Sequence, residues 1–229
     1  MSDMTAHRPV AEAAPDVRSN FMRSVYAHLI GGIAAFVGLQ LFLFDSGWAE
    51  TIHNIVIGTN WLLILGGFMI VSWLATHLSH RATTTGGAYG AYGLLVLANA
   101  LLFAAPLYQA NVFVPGAIST AAWISIGAFI GLSAIALTTS KDFSFMRGIL
   151  MWGGVIALCL IVGSVIFGAT LGTWFSVAMI AFAGGAILYD TQKVYRTFPP
   201  EAVVPAAMHL FSSLALLFWY VLRLVMARE

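Results

Sequence analysis

Charged residues are scarce in this chain, and their scarcity excludes a soluble globular protein. Lys and Arg number 10 and Asp and Glu number 9, so that 8% of the 229 residues are charged while 60% are hydrophobic. A soluble domain carries about 25% charged residues, which cover it with a water-compatible surface. The composition therefore predicts a polytopic membrane protein. The formal net charge of +1 gives no reason to expect a nucleic-acid partner.

Cysteine is almost absent as well, and no metal-binding cluster stands out. Cys159 is the single cysteine and lies within an apolar run. An intramolecular disulfide is thereby excluded, and we interpret Cys159 as a small apolar residue facing lipid or a neighbouring helix. His77 and His80 could share a metal ion, but the sequence shows no further ligands nearby. No cofactor is expected.

Long charge-free runs are abundant, and they define the fold. A helix needs about 20 apolar residues to cross about 30 Å of hydrocarbon. This length predicts seven spans, at residues 24–44, 61–78, 86–105, 116–139, 146–167, 173–193 and 203–225. Loops are expected at 106–115 and 168–172, and between the first two spans. The seventh span contains Pro205, His209 and Arg223. A re-entrant last segment, which would not cross the membrane fully, is therefore kept as an alternative.

The N-terminal segment and the loop charges predict the topology. Residues 1–22 are polar and predict a disordered cytoplasmic tail, while 23–229 form a single transmembrane domain. We expect the first span to be retained, because its apolar run is too long for a signal peptide. Lys and Arg fall before span 1 and in the loops after spans 2, 4 and 6, whereas the other three loops hold none. The positive-inside rule therefore predicts a cytoplasmic N-terminus. We expect the protein to lie in the inner membrane of the cell.

Asp190 ends an apolar run and is the main candidate functional residue. No charged residue lies between Arg147 and Asp190. An ionisable group at the hydrocarbon edge costs about 2 to 3 kcal/mol on insertion scales, so its presence there indicates a function. The alternative is that Asp190 lies at the interface and forms an ordinary ion pair with Lys193 or Arg196. Both interpretations stay open.

A polar stripe follows one face of predicted span 7. Its members are spaced 4, 3, 4 and 3 residues apart: His209, Ser213, Leu216, Tyr220 and Arg223. If spans 6 and 7 form an antiparallel hairpin, Asp190 and His209 lie at similar depths. A carboxylate–imidazole pair would titrate where cells use pH as a signal, since histidine has an unperturbed pKa near 6.5. Alternatively, His209 hydrogen-bonds only a backbone carbonyl or Ser213.

Three motifs resemble the transmembrane Bax inhibitor motif family. They are SKDFSF at 140–145, ILYDTQ at 187–192 and LFWYVLR at 217–223. The resemblance runs from about Arg18 to Arg223. It implies an all-α fold of seven transmembrane helices, with a central, mostly apolar helix surrounded by the others. It also implies a pH-sensitive calcium leak, as in characterised relatives, while bacterial relatives are associated with membrane proteases and protein quality control.

The chain departs from the family at one important position. In the family, an Asp of span 6, matching Asp190, pairs with an Asp of span 7, and their shared proton controls closure of the cytoplasmic end. The second position is Ser213 here. Serine cannot supply the like-charge repulsion that raises the pKa of paired carboxylates. We therefore expect Asp190 to be held by Lys193, His209 or Arg147, and any pH response to follow His209.

These observations predict a Bax inhibitor-like protein that leaks calcium or other cations in a pH-sensitive way. Asp190, His209 and Ser213 are the candidate gate, and the supporting charges are Arg147, Lys193 and Arg223. The lipid bilayer and calcium ions are the expected partners. The alternative is a non-transport protein that modulates a membrane protease complex or a stress response. A leak needs a polar path along spans 2, 6 and 7, to which Asn99 could also contribute.

Two enzymatic interpretations rest on partial motifs. Gly131 to Ala134 with His209 resembles the serine–histidine dyad of rhomboid proteases, but Ala134 replaces the second glycine of the motif. The Tyr-Asp pair ending at Asp190 resembles aspartyl intramembrane proteases, but their second Asp is missing. We therefore expect no enzymatic activity and keep an intramembrane protease with Ser133 as a minor alternative.

Small and polar residues near the span ends give two local predictions. Gly127, Gly131, Gly184 and Gly185 are interpreted as points of close helix packing. Asp142 is interpreted as part of a solvated turn with local charge pairs to Lys141 and Arg147. The alternative is that Asp142 is the N-cap of the helix in span 5.

Overall fold

A computed structural model describes residues 9–81 and 84–227, which are folded into α-helices and contain no strand. After a 3₁₀ turn at Val10–Glu12, the helices are α1 (Pro15–Asp45), α2 (Trp48–Gly58), α3 (Trp61–Arg81), α4 (Thr85–Phe113), α5 (Ala117–Thr138), α6 (Met146–Ile166), α7 (Thr173–Thr197) and α8 (Val203–Met226). Within these residues, seven helices are long and apolar enough to cross a membrane, namely α1 and α3 to α8. The predicted fold class is confirmed.

The last helix, α8, is the central helix of the bundle. It packs against α1, α3, α4, α5 and α7. Its apolar side chains point to several sides, and Leu210, Leu217 and Leu222 are almost completely buried. An isolated helix of this composition could face lipid on every side, so its burial is decided by the surrounding helices. By contrast, α6 lies at the periphery, where Ala157 is buried and Cys159 is exposed.

The first helix begins earlier than the sequence predicts. It starts at Pro15, within the segment 1–22 that is predicted to be a disordered tail. Proline suits the first helical position because its missing N–H would have no partner there. Just before this helix, Val10 is buried and its N–H donates to the carbonyl of Phe198 at 2.8 Å. Residues 1–8 of the predicted tail lie outside the described residues.

The predicted loop at 106–115 is wrong over most of its length. Helix α4 continues through Pro106 to Phe113, and Gly116, with a φ of 88°, begins the next helix. Proline removes one backbone donor, but membrane helices accept it because neighbouring groups satisfy the freed carbonyl. The proline signal therefore overestimates the length of this loop.

The predicted loop between the first two spans contains the short helix α2. Gly47, with a φ of 76°, turns the chain from α1 into α2. Helix α2 packs on α4, where the ring of His53 lies 5.1 Å from that of Tyr108. At 11 residues it is too short to cross the hydrocarbon layer. Helix α2 lies over the end of the bundle at which both α4 and α8 terminate.

Two of the four predicted packing glycines are confirmed. A Cβ atom on Gly185 would lie 2.8 Å from Met146 Cε, and one on Gly184 would lie 3.3 Å from Leu132 Cδ1. Gly127 and Gly131 would have no such neighbour within 4 Å, so that prediction is wrong for them. Both lie on the exposed face of α5. Glycine composition alone does not reveal which face of a helix meets a partner.

Candidate functional site

A hydrogen bond between α7 and α8 lies at the centre of the candidate site. The hydroxyl of Ser213, which is buried on α8, donates to Oδ2 of Asp190, which is half-buried on α7. Among the described residues, no hydrogen bond or salt bridge joins Asp190 to Arg147, which was one of its three predicted partners. Lys193, the third, is one turn along α7 and close enough for its charge to act on Asp190.

His209, another predicted partner of Asp190, lies beside the end of α7. Its ring packs edge-on against Phe198, with the ring centroids 5.5 Å apart. The same Phe198 ring lies 6.0 Å from the Lys193 ammonium. The hairpin therefore brings His209 to the same end of the bundle as Asp190, while Ser213 on α8 forms the hydrogen bond to Asp190.

Further buried polar groups lie next to this hydrogen bond. Ser133 Oγ on α5 is 3.4 Å from Thr191 Oγ1 on α7, and both side chains are buried. The buried hydroxyl of Tyr26 on α1 faces Ser133 without reaching hydrogen-bond geometry. Ser133, the serine of the protease-like motif, thus bonds to Thr191.

Gln192 fastens the end of α7 to the loop between α5 and α6. Its Nε2 donates to the carbonyl of Lys141 at 2.8 Å, and its Oε1 accepts from the N–H of Phe143 at 2.6 Å. Beside it, Arg196 pairs with Asp142 at 3.4 Å. We call these contacts of Gln192 and Arg196 with residues 141–143 the α7 clasp. Sequence reasoning missed Gln192, although an amide two residues after Asp190 in an apolar helix was a visible signal.

Asp142 stabilises a turn and does not cap α6. The helix begins at Met146 with Phe145 in the capping position and no side-chain cap. Asp142 Oδ1 instead accepts from the N–H of Ser144 at 2.8 Å. This backbone hydrogen bond, aided by the charge of Arg196, holds the pKa of the Asp142 carboxyl below its usual value. The prediction of an N-cap is wrong.

The opposite face of α8 borders a row of three cavities. The largest, which we call the central cavity, has a volume of about 520 Å³ and lies among α3, α4, α6 and α8. The α2 cavity, of about 320 Å³, lies beneath α2. The small cavity, of about 30 Å³, lies between α3 and α8 and is lined by His209.

Shared residues separate the neighbouring cavities. Trp61, Trp219 and Arg223 line both the central cavity and the α2 cavity. The two tryptophan rings stack with their centroids 5.8 Å apart, and Arg223 donates to the carbonyl of Leu171 at 2.9 Å. Arg223, one of the predicted supporting charges, therefore lies at a constriction and is hydrogen-bonded away from Asp190.

Polar groups on α3 line the same row of cavities. Ser72, Thr76 and Ser79 are spaced four and three residues apart, so they share one face of the helix. The hydroxyls of Ser72 and Ser79 are buried without a hydrogen-bond partner. Asn99, the polar residue of α4 that was predicted for a path, also borders the central cavity. The α3 residues were missed, although their spacing was readable from the sequence.

The described residues contain no cluster of three or more metal-ligating side chains. The ring of His77 stacks on Trp73 with a centroid distance of 5.3 Å. The side chain of His80, its predicted companion, lies outside the described residues.

Comparison with known proteins places this arrangement in a family. A family model described as "Inhibitor of apoptosis-promoting Bax1" matches residues 18–229. Bax inhibitor 1 of Schizosaccharomyces pombe is 28% identical over 95% of this chain and 80% of its own length. An uncharacterized membrane protein of Vibrio cholerae is 39% identical over 70 residues, which is 30% of this chain and 31% of that protein. Since the family model covers all seven spans apart from the first turn of α1, the chain belongs to the Bax inhibitor family.

Proposed function

We propose that the protein is a slow cation leak, held closed in this structure by the hydrogen bond between Asp190 and Ser213. The observation that carries this proposal is a carboxylate within a membrane-spanning helix that binds the central helix directly. Ionisable groups at membrane depth are costly and commonly mark ion pathways. A purely structural contact between α7 and α8 would not require a carboxylate.

The row of cavities supports a route across the membrane. Its lining residues run from Pro205, near the start of α8, to Met226 at its end. The 22 residues from Pro205 to Met226 span about 33 Å at 1.5 Å per residue, which exceeds the hydrocarbon thickness of about 30 Å. The route is interrupted by the stacked pair of Trp61 and Trp219 and by the narrowness of the small cavity. We interpret the structure as a closed state.

Helix α8 links the carboxylate to this route. Ser213 holds Asp190 on one side, while the adjacent Ser212 lines the central and small cavities on the other. A rotation of α8 that breaks the hydrogen bond to Asp190 therefore also moves Ser212 and Trp219. This connection gives a physical reason for one contact to control a distant constriction.

The charges along the route predict slow conduction. Arg223 lines two of the cavities, and its positive charge opposes the entry of a cation. A single carboxylate paired with serine has no second carboxylate with which to share a proton. We therefore propose a weaker pH response than in a carboxylate pair, with the remaining response following His209, which lines the small cavity.

Calcium flux into proteoliposomes, measured between about pH 5 and pH 8, tests this proposal. We expect Ser213→Ala to raise the flux, because it removes the bond that holds α8. Asp190→Asn should make the flux depend less on the calcium concentration, since the amide keeps a hydrogen-bond acceptor but carries no charge. Ser213→Asp should create a carboxylate pair and a steep pH dependence. His209→Gln should flatten the weak response of the unmodified protein.

Asp45→Asn is the matched control, because Asp45 is an exposed carboxylate at the far end of α1. It should leave the flux unchanged. Absence of flux in the unmodified protein and in Ser213→Ala would contradict the leak and favour the alternative role as a non-transport interaction protein.

A further inference from the structure

The walls of the central cavity are mainly apolar in this closed structure. Most of its lining side chains are apolar, and among the described lining residues none is an Asp or Glu. Its polar side chains mostly bond to carbonyls of their own helices. Asn99 donates to Leu95, Thr76 to Ser72, Ser164 to Ile161 and Ser212 to Met208. Ser72 Oγ, by contrast, is buried without a partner. The cavity therefore offers mainly apolar surface.

Arg223 is the charged group at this cavity. Its side chain is exposed, and one nitrogen donates to Leu171 O at 2.9 Å. A guanidinium carries five N–H donors, so most of its donors are still available. No carboxylate of the described residues forms a salt bridge with it. Arginine binds phosphate and carboxylate oxygens with two parallel hydrogen bonds, so this end of the cavity is suited to an anion.

The depth of Arg223 matches that of a lipid headgroup. It lies in the last turn of α8, beside Leu171 in the short connection between α6 and α7. The ends of membrane-spanning helices and their connections lie at the headgroup region, whereas the cavity extends from there towards Ser72 in the middle of α3. An anion at Arg223 would thus stand at the interface, with apolar space leading inward.

The cavity is also accessible from the bilayer. It is bounded by α3 and α6, which contact each other only lightly. Helix α6 is peripheral, and along it only Ala157 is buried among the described residues. An acyl chain could enter sideways between these helices without leaving the hydrocarbon layer.

We propose that the central cavity binds one acyl chain of an anionic bilayer phospholipid, whose phosphate is held by Arg223. Its volume of about 520 Å³ accommodates one chain, so the second chain remains in the bilayer. A bound chain would lie against Trp61 and Trp219, between the constrictions of the route described above. This site does not depend on the leak, because it rests on the shape and charge of the cavity.

Native mass spectrometry of the detergent-purified protein tests the site. With phosphatidylglycerol we expect one lipid to be retained per chain, and with phosphatidylcholine of identical chains much less. Arg223→Gln should weaken phosphatidylglycerol retention about tenfold, the loss expected for one strong charge-assisted contact. Arg223→Lys should keep part of the phosphatidylglycerol retention, because the charge remains but the bidentate hydrogen-bond geometry is lost. Arg147→Gln removes an exposed cation elsewhere and should change nothing.

Filling the cavity provides a second test that leaves the charge in place. Ala215 lines the central cavity, and Ala215→Phe should lower phosphatidylglycerol retention even though Arg223 is intact. Equal retention of both lipids together with no effect of Arg223→Gln would overturn the proposal. Stronger retention of oleate than of phosphatidylglycerol would overturn the phospholipid as occupant and assign the site to a free fatty acid.

Discussion

On the α7 side of the central helix, polar contacts connect α5, α7, α8 and the loop between α5 and α6. Asp190 meets Ser213, Thr191 meets Ser133, and Gln192 binds two backbone groups of the loop. On the α3 side of the same helix, a cavity of about 520 Å³ is left and the hydroxyl of Ser72 has no partner. The two faces of α8 differ in how they are joined to their neighbours, although both are formed by one mostly apolar helix.

The difference shows what decides packing inside a bilayer. Lipid tails are as apolar as leucine, so apolar burial gives little drive for two helices to associate. Hydrogen bonds and close backbone approach decide instead which faces are joined. The α7 side has the hydrogen bond from Ser213 to Asp190, and α7 itself approaches α5 and α6 closely, because Gly184 and Gly185 admit Leu132 and Met146. The α3 side has neither at the level of the cavity, and it can therefore admit lipid or change its shape.

The largest effect is expected from breaking the α7 clasp. Gln192→Ala leaves the carbonyl of Lys141 and the N–H of Phe143 without their partner. We expect the free energy of unfolding to fall by about 2 to 4 kcal/mol, from two lost hydrogen bonds. Unfolding of the detergent-solubilised protein by SDS measures this change. Thr197→Ala, which removes an exposed hydroxyl bonded to its own helix, should cost far less. Equal losses would contradict the clasp.

A smaller effect is expected from crowding the close approach of α5 and α7. In Gly184→Leu, the new side chain meets Leu132, whose Cδ1 would lie 3.3 Å from the added Cβ. Overpacking of this kind costs about 1 to 3 kcal/mol. Gly127→Leu adds the same side chain on the exposed face of α5 and should be neutral or stabilising. The same unfolding assay compares the two, and a similar loss in both would show that this packing is not specific.

The cavity side should tolerate the loss of a hydroxyl. Ser72 Oγ is buried without a partner, so Ser72→Ala should leave stability unchanged or raise it by up to about 1 kcal/mol. Ser133→Ala, on the α7 side, should lower stability by about 1 kcal/mol, because it breaks the contact with Thr191. Thermal unfolding of the two variants tests this difference in sign. A loss in Ser72→Ala equal to that in Ser133→Ala would contradict the comparison.

The smallest effect should appear at low pH. The pKa of Asp142 is lowered by the N–H of Ser144 and by Arg196, so folding favours its charged form. The resulting stabilisation is complete above the unfolded value of about 3.9 and is lost as pH falls through the lower folded value. Hydrogen exchange at Phe143 and Ser144 should therefore accelerate only in strong acid. Asp142→Asn should exchange faster at neutral pH and lose this acid step.

The candidate site was predicted in part. Asp190 was recognisable because it interrupts an apolar run, and the family resemblance put Ser213 opposite it. Their contact in the structure agrees with that alignment. Helical periodicity placed His209 on the same stripe as Ser213, and in the structure its ring packs against Phe198. Its contact with Asp190 stays a prediction. A rotation of tens of degrees about the helix axis decides between such residues, and periodicity does not resolve it.

Sequence by itself determined the membrane class and the seven spans, and it made Asp190 the main candidate residue, because these follow from the cost of placing charge in hydrocarbon. It did not determine that α4 continues through Pro106, that Gln192 fastens the loop at Lys141, or that Gly127 faces outward. The tertiary structure alone decided which face of α8 is bonded and which leaves a cavity. In lipid, an apolar helix face packs against acyl chains as well as against another helix, so hydrogen bonds and close backbone contacts decide which faces are joined.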